Sequence, residues 1–308
     1  MSLSRRPLAV DICVCTFRRP ILGETIRSLA ALEIPDGIEI KVIVADNDVV
    51  PSAEELVARL ATEIPFPILY LHAPACNISV ARNACLDAAT GDFAAFIDDD
   101  ETVTPGWLAA LLAVVEAEAA DVVLGPARAV YAAKAPDWMK AGDFHSTLPV
   151  WVNGKICSGY TCNVLLRRAS PFVAGLRFKP ELGQSGGEDT DFFTRLTRAG
   201  GRIAYAEKAV VDDPVPADRA SFAWLVKRRF RMGQTHGRVV IGELRRRARA
   251  GQVGLAAGKA GLCFIAAAAH FPFAARRNRF ALRGAMHVGV VSALLGMTEI
   301  RPYGDIQP

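Results

Sequence analysis

The sequence predicts an α/β fold: a mostly parallel sheet flanked by helices, followed by a basic helical extension toward the C-terminal end. Three observations carry this expectation. Apolar, β-rich runs alternate with helical patterns from Ala9 to Ala206, the order that builds a parallel sheet with crossover helices. Acidic residues recur directly after those runs, at the edge where an open parallel sheet binds its ligands. Charge also divides along the chain. Residues 1–218 hold 20 Lys/Arg against 29 Asp/Glu, a net −9, whereas residues 219–308 hold 16 against 3, a net +13. The formal net charge of +4 conceals this division.

Taken in order, Ala9 to Thr16 reads as a buried strand, Ile21 to Leu32 as a helix and Ile38 to Ala45 as a second strand. Ser52 is placed to cap a helix running to about Thr62. Ile68 to His72 is strand-like, Ser79 to Ala89 helical, and Phe93 to Ile97 a fourth strand that ends in four carboxylates. Thr104 followed by Pro105 has the form of an N-cap and first helical residue, predicting a helix to about Glu118. Val122 to Gly125 reads as a further strand. The pattern weakens from Ala127 to Gly159, where loops and a short hairpin are expected, and the irregular stretch from Val130 to Tyr160, with Trp138, His145 and Trp151, is expected to hold acceptor-facing loops. Thr161 to Leu166 and Ile203 to Ala206 are strand-like, and Glu188 to Ala199 is an amphipathic helix ended by Gly200-Gly201.

The 308 residues, 51% hydrophobic and 22% charged, exclude a disulfide-stapled mini-protein and a disordered tail. The seven cysteines form no C-x-x-C pair and suit reduced, buried thiols of a cytosolic protein. No signal peptide is expected, and the longest uncharged stretches of the tail, 16 and 15 residues, fall short of the ~20 needed to span a bilayer.

Four places carry candidate chemistry: Thr16-Phe17-Arg18-Arg19, Asp46-Asn47-Asp48, Asp98-Asp99-Asp100-Glu101 and Gly186-Gly187-Glu188-Asp189. Adjacent carboxylates repel, a cost usually tolerated where a hard cation binds. Mg2+ or Mn2+ takes one or two carboxylates and completes its shell with water and substrate phosphates. An acidic turn favoured by the next helix's N-terminus explains the same cluster without a metal. Asp46 could accept hydrogen bonds from a base or ribose, or simply form a turn. Arg18, Arg19 and Arg82 could offset diphosphate charge. The carboxylate pair at Glu188-Asp189 could take a proton from an attacking hydroxyl, or only stabilise its helix.

In this order the segments resemble the family 2 glycosyltransferases, over roughly the first 235 residues. The matching runs are Thr16-Phe17-Arg18-Arg19-Pro20, Val44-Ala45-Asp46-Asn47 and Asn77-Ile78-Ser79-Val80-Ala81-Arg82-Asn83. They continue with Phe96-Ile97-Asp98-Asp99-Asp100-Glu101 and Gly187-Glu188-Asp189-Thr190-Asp191-Phe192. The similarity is greatest to bacterial members that build exopolysaccharide or cell-surface polysaccharide. It implies the Rossmann-like GT-A fold in a catalytic domain over residues 1–218; residues 219–308 read, from their own composition, as a basic, apolar helical region open to membrane association. It further implies an inverting, metal-dependent transfer from a nucleotide sugar, typically a UDP-sugar, to a hydroxyl of a lipid-linked glycan at the cytoplasmic face of the inner membrane. The resemblance places Asp46 at the nucleobase, Thr16 and Arg18 near the nucleotide and Arg82 near its diphosphate. Asp98 and Asp100 fill the outer places of the D-x-D, toward ribose and metal respectively, around Asp99. Asp189 matches the catalytic base, with Glu188 beside it. Many members carry a downstream histidine near the metal or diphosphate; here the stretch reads Val211-Asp212-Asp213-Pro214-Val215-Pro216.

Two other classes compete. A sugar-phosphate nucleotidyltransferase also uses acidic metal sites, but usually begins with a glycine-rich loop after the first strand, which Thr16-Phe17-Arg18-Arg19 lacks. A nucleic-acid binder would explain the basic tail but leaves the acidic cluster unexplained, and no nucleic acid is expected as partner. In that tail Lys227, Arg228, Arg229 and Arg231 stand on a helix beginning near Ser221, and Arg245, Arg246, Arg247 and Arg249 on another. Two apolar segments follow, Leu255 to Ala275 and Phe280 to Met297, with Arg276-Arg277-Asn278-Arg279 expected to separate them. Basic residues beside apolar helices suit either an anionic membrane surface or ordinary packing as core.

Overall fold

The computed structural model describes residues 6–241 and 246–300. Arg245 of the basic tail lies outside the described residues, as do the side chains of Arg246 and Arg247. The strands are β1 (Leu8–Thr16), β2 (Ile38–Asp46), β3 (Ile68–His72), β4 (Phe93–Asp98), β5 (Thr102–Val103), β6 (Val122–Leu124), β7 (Ala127–Tyr131), β8 (Trp151–Val152), β9 (Lys155–Ile156), β10 (Asn163–Arg167), β11 (Ile203–Tyr205) and β12 (Val211–Val215). The helices are α1 (Leu22–Leu29), α2 (Glu54–Leu60), α3 (Ile78–Ala88), α4 (Trp107–Ala117), α5 (Asp137–Gly142), α6 (Glu188–Arg198), α7 (Phe222–Ile241), α8 (Arg246–Ala269) and α9 (Ala274–Leu294). They fall into two compact units, one of residues 6–128 and 146–213, the other of residues 129–145 and 214–300 among those described.

The first unit is the expected α/β layer structure. Its seven-stranded sheet runs β11-β6-β10-β4-β1-β2-β3, with β10 alone antiparallel to its two neighbours. Alternate residues of the central strands go to opposite faces. Ile12, Val14, Val42, Val44 and Ile97 pack under α1, α2 and α4, whereas Cys13, Ile43 and Phe96 pack against α3 and α6. Burial on both faces is why these strands read as continuous apolar runs.

Two predicted caps shift. Helix α2 starts at Glu54 with Ala53, not Ser52, at the N-cap position and no side chain capping it; the Ala53 amide donates to the Asp46 carboxylate, 2.8 Å away. An ionised acceptor is the stronger partner, and Ser52 itself leans on the same oxygen at 3.5 Å. Helix α4 starts at Trp107, because β12 pairs with β5 and draws the Thr104 hydroxyl to the Val210 carbonyl, 3.0 Å away. Strands this short leave no periodic signal in the sequence.

In the second unit α9 is the buried helix. Gly289 packs so tightly on α7 that a Cβ there would stand 2.0 Å from the Phe230 carbonyl oxygen. The Ser221 hydroxyl caps α7 by accepting from the Trp224 amide at 3.2 Å. The run Arg276 to Arg279 lies on the first turns of α9 and does not separate the two apolar segments; the connection is His270-Phe271-Pro272-Phe273. His145 is buried, its ring nitrogens engaged by the Tyr131 hydroxyl and the Arg219 carbonyl. Trp138 packs on Phe144. The second unit uses His145 as core and leaves Trp138 half-buried; Trp151, on the β8–β9 hairpin of the first unit, is exposed.

Helix α8 contains a segment, Ala248–Ala269, long and apolar enough to cross a membrane by length and composition. Counting uncharged residues overlooks it because Arg249 and Lys259 interrupt the run.

Candidate active site

The parallel register builds the site. Thr16 at the end of β1 lies opposite Asp46 on β2, and Cys15 lies opposite Asp98 on β4. Adjacent strands are about 4.8 Å apart, so residues scattered over eighty positions of sequence reach one sheet edge.

The three aspartates after β4 diverge. The Asp98 side chain is 46% exposed at the sheet edge, and the surrounding wall still raises its pKa despite Arg82. Asp99 turns inward, accepting from the Thr16 hydroxyl at 2.7 Å, and burial pushes its pKa up to about 7 against the pull of Arg19 and Thr16. Asp100 pairs with Arg19, whose guanidinium also lies 3.5 Å from Asp99. Glu101 is buried and closes the turn by accepting from the Asp98 amide at 2.9 Å; burial holds its pKa well above normal.

Asp46 is fully buried and heavily used within the chain. Its carboxylate accepts from the Asp48 amide at 3.0 Å, the Ala53 amide at 2.8 Å and the Tyr70 hydroxyl at 3.0 Å. It thereby ties the end of β2 to α2 and β3. Arg18 has a positive φ of 54° and donates to Asp48 at 2.8 Å. The guanidinium holds the Asp48 carboxyl below its usual range.

Arg82 joins the two acidic segments. It lies on α3, which Asn77 caps through the Ser79 amide at 3.0 Å, and it is 8% exposed. One end of the guanidinium donates to Glu188, and the other lies 3.9 Å from Asp98. Burial works against its charge, but Glu188 and Asp98 outweigh that and raise its pKa. Gly186 and Gly187, with φ of 81° and 86°, give the left-handed approach that swings the start of α6 into place. Burial and then the neighbouring Glu188 push the Asp189 carboxyl up to about 6, against Arg82 and bonds from Thr190. The structure thus brings Thr16, Arg82, Asp98, Asp99, Asp100, Glu188 and Asp189 into one linked network, with Asp46 and Arg18 in a second cluster at the end of β2.

The oxygen donors at this sheet edge are carboxylates, the hard ligands that suit Mg2+ or Mn2+. Among the described residues no group of three His, Cys, Asp or Glu side chains forms a metal site of its own. Mg2+ takes one or two carboxylates and completes its shell with water and phosphate oxygens, so two of these aspartates would be enough to hold it. Sequence reasoning missed two contributors. Tyr70 carries a hydroxyl inside an otherwise apolar strand, which is the signal that could have found it. Asp213 acts electrostatically on Glu101 and Cys162, from the stretch where a histidine was sought. All seven cysteines are free thiols.

Comparison with known proteins decides the family. The model of glycosyl transferase family 2 matches residues 11–170, more than half of the chain. The chain belongs to this family. It is a glycosyltransferase, and every element that carries its acidic strand end falls within the matched region. This family 2 transferase is 58% identical over 297 residues to the succinoglycan biosynthesis protein ExoM of Rhizobium meliloti, covering 96% of each chain. Among solved structures it is similar to the mannosyltransferase PcManGT from Pyrobaculum calidifontis in complex with GDP-Man and Mn2+, with a TM-score of 0.63 at 18% identity over 96% of this chain and 89% of that one. It is also similar to S. aureus TarS 1–349 in complex with UDP-GlcNAc, with a TM-score of 0.55 at 16% identity over 97% and 99%. These likenesses establish the GT-A fold for this family 2 enzyme.

Proposed function

We propose that this enzyme moves a sugar from a nucleoside diphosphate sugar, a UDP-sugar, to a hydroxyl of a lipid-linked glycan, inverting the anomeric centre, in exopolysaccharide synthesis. The observation that carries the reading is the Arg82 guanidinium held between Asp98 and Glu188, the neighbour of Asp189. One cation thereby links the acidic end of β4 to the carboxylates that open α6. The extensive identity to a succinoglycan biosynthesis protein supports the pathway, and with it a cytoplasmic enzyme peripheral to the membrane where a lipid carrier resides.

In this reading residues 1–218 form the catalytic domain and residues 219–308 the helical region that meets the membrane. Asp189, whose carboxyl titrates near 6, is ionised at neutral pH and takes the proton from the acceptor hydroxyl as it attacks. Asp98 and Asp100 would hold Mg2+ or Mn2+, and Asp99 stays turned toward Thr16, out of the D-x-D pair. The cation, when bound, supplies charge neutralisation to the diphosphate leaving group. Arg82, and Arg19 from the β1 loop, add fixed positive charge on the same side of the reaction. Asp46 supports the nucleobase end by holding β2, α2 and β3 in register; with Arg18 and Thr16 it forms the nucleotide side of the site.

The test is nucleoside diphosphate release from UDP-, GDP- and dTDP-sugars, with and without EDTA. Release from a UDP-sugar that stops in EDTA and returns with Mn2+ or Mg2+ is expected. Release that ignores EDTA overturns the metal assignment, and release confined to a GDP- or dTDP-sugar overturns the donor.

A further inference from the structure

Helix α8 is built inside out. Its buried face carries small residues, Ala256, Ala260 and Ala267, whereas large aliphatic side chains point away from the protein, with Leu255 51%, Leu262 69% and Ile265 68% exposed. The spacing of these three, seven and three residues apart, puts them on one helical stripe. A water-facing helix gains nothing from this arrangement, since the outer stripe would leave water only by entering another apolar phase. The stripe leads into the turn to α9, where Phe271 and Phe273 are 70% and 60% exposed.

Charge says what covers it. The guanidinium of Arg277 stands over the Phe271 ring at 5.5 Å and that of Arg276 over Phe273 at 5.8 Å. Both arginines lie in the first turn of α9, where positive charge opposes the helix dipole; Arg277 also ties the turn by donating to the Phe271 carbonyl at 3.2 Å, while Arg276 is exposed. Between Leu244 and Thr298 the sequence has nine Lys/Arg and no Asp or Glu. An apolar strip in a stretch of sequence that is basic and free of acidic residues, with arginines seated on exposed aromatic rings, matches the boundary between acyl chains and anionic headgroups.

We propose that the outer stripe of α8 and the Phe271-Phe273 turn form a docking surface for an anionic phospholipid membrane, on which α8 lies in the interface plane. This rests on the membrane contact in the proposed function and names the surface that makes it.

The experiment is flotation of the full chain with vesicles of phosphatidylcholine, alone or mixed with phosphatidylglycerol, at low and high salt. Binding only to the phosphatidylglycerol vesicles, weakened by salt, is expected. The pairs Leu262→Asn/Ile265→Asn and Arg276→Gln/Arg277→Gln, all at exposed or half-exposed positions, should each reduce it on the order of tenfold while nucleotide-sugar turnover stays unchanged. If both pairs float like the parent, the surface is wrong while the membrane reading stands. If the parent floats with no vesicle, both fall, and nucleotide release still judges the transferase reading separately. A parent dimer in light scattering that Leu262→Asn/Ile265→Asn dissociates assigns the stripe to a second copy and overturns the proposal. So does membrane-bound protein that resists alkaline carbonate, which would mean that α8 spans.

Discussion

Arg82 donates to one oxygen of Glu188, and the other oxygen of that carboxylate is buried without a hydrogen-bond partner. The two side chains are 9% and 7% exposed, so each charge depends on the other for compensation. Removing one member of a buried pair strands the other. Arg82→Gln is therefore expected to cost about 3–5 kcal/mol in urea unfolding. Arg82→Gln/Glu188→Gln should recover part of that loss, because no uncompensated charge remains between them; a double variant as unstable as the sum of the singles would show the pair to be uncoupled.

The base assignment carries a pH signature. With the Asp189 carboxyl near 6, its ionised form is lost below that value, so transfer at saturating donor should fall as pH drops through about 6 and level off above 7. Asp189→Asn should lower turnover by roughly 10²–10⁴-fold while nucleotide affinity in a calorimetric titration changes little. Equal loss of affinity would move Asp189 from chemistry to binding.

Asp99 should act on stability in the opposite sense from an ordinary salt-bridged carboxylate. Its folded pKa, about 7, is raised above the unfolded value. The associated stability is fully present below pH ~4 and is lost as pH rises through about 7, amounting to ~4 kcal/mol at most. In metal-free buffer the unfolding free energy should therefore decline between about pH 4 and 7, and Asp99→Asn should flatten that decline. A parent and variant with parallel pH profiles would remove Asp99 as the cause.

Gly289 tests the packing of the second unit. A Cβ there meets a backbone oxygen of α7, at 2.0 Å, which cannot rotate away. Gly289→Ala must push the helices apart and is expected to lower stability by about 1–3 kcal/mol, read as a reduced thermal midpoint. Substitution at Gly258, where nothing lies within 4 Å, is the control and should be neutral or slightly stabilising through helix propensity.

Much of the first unit was legible because its signals are local. Strands buried on both faces read as apolar runs, and carboxylates clustered after β4 mark a strand end whatever surrounds them. The caps were less legible. Ser52 and Thr104 have the right residue type and position, yet a stronger or better placed acceptor took over each contact. Trp138 and His145 looked like loop residues because their partners, Phe144 in one case and Arg219 and Trp224 in the other, are set by packing that no periodicity announces.

By itself the sequence determined the alternation of the longer strands and helices, the family, the acidic strand ends and the division of charge between an acidic first part and a basic tail. These follow from residue type and spacing along the chain, which folding does not alter. Only the tertiary structure decided how Asp98, Asp99 and Asp100 differ, since their separate surroundings come from Arg82, Thr16 and Arg19, far apart in sequence. It also decided which way α8 faces. Amphipathic spacing marks two faces of a helix but not which one is inside, and here small residues took the interior because α9 packs close, leaving the large ones outward.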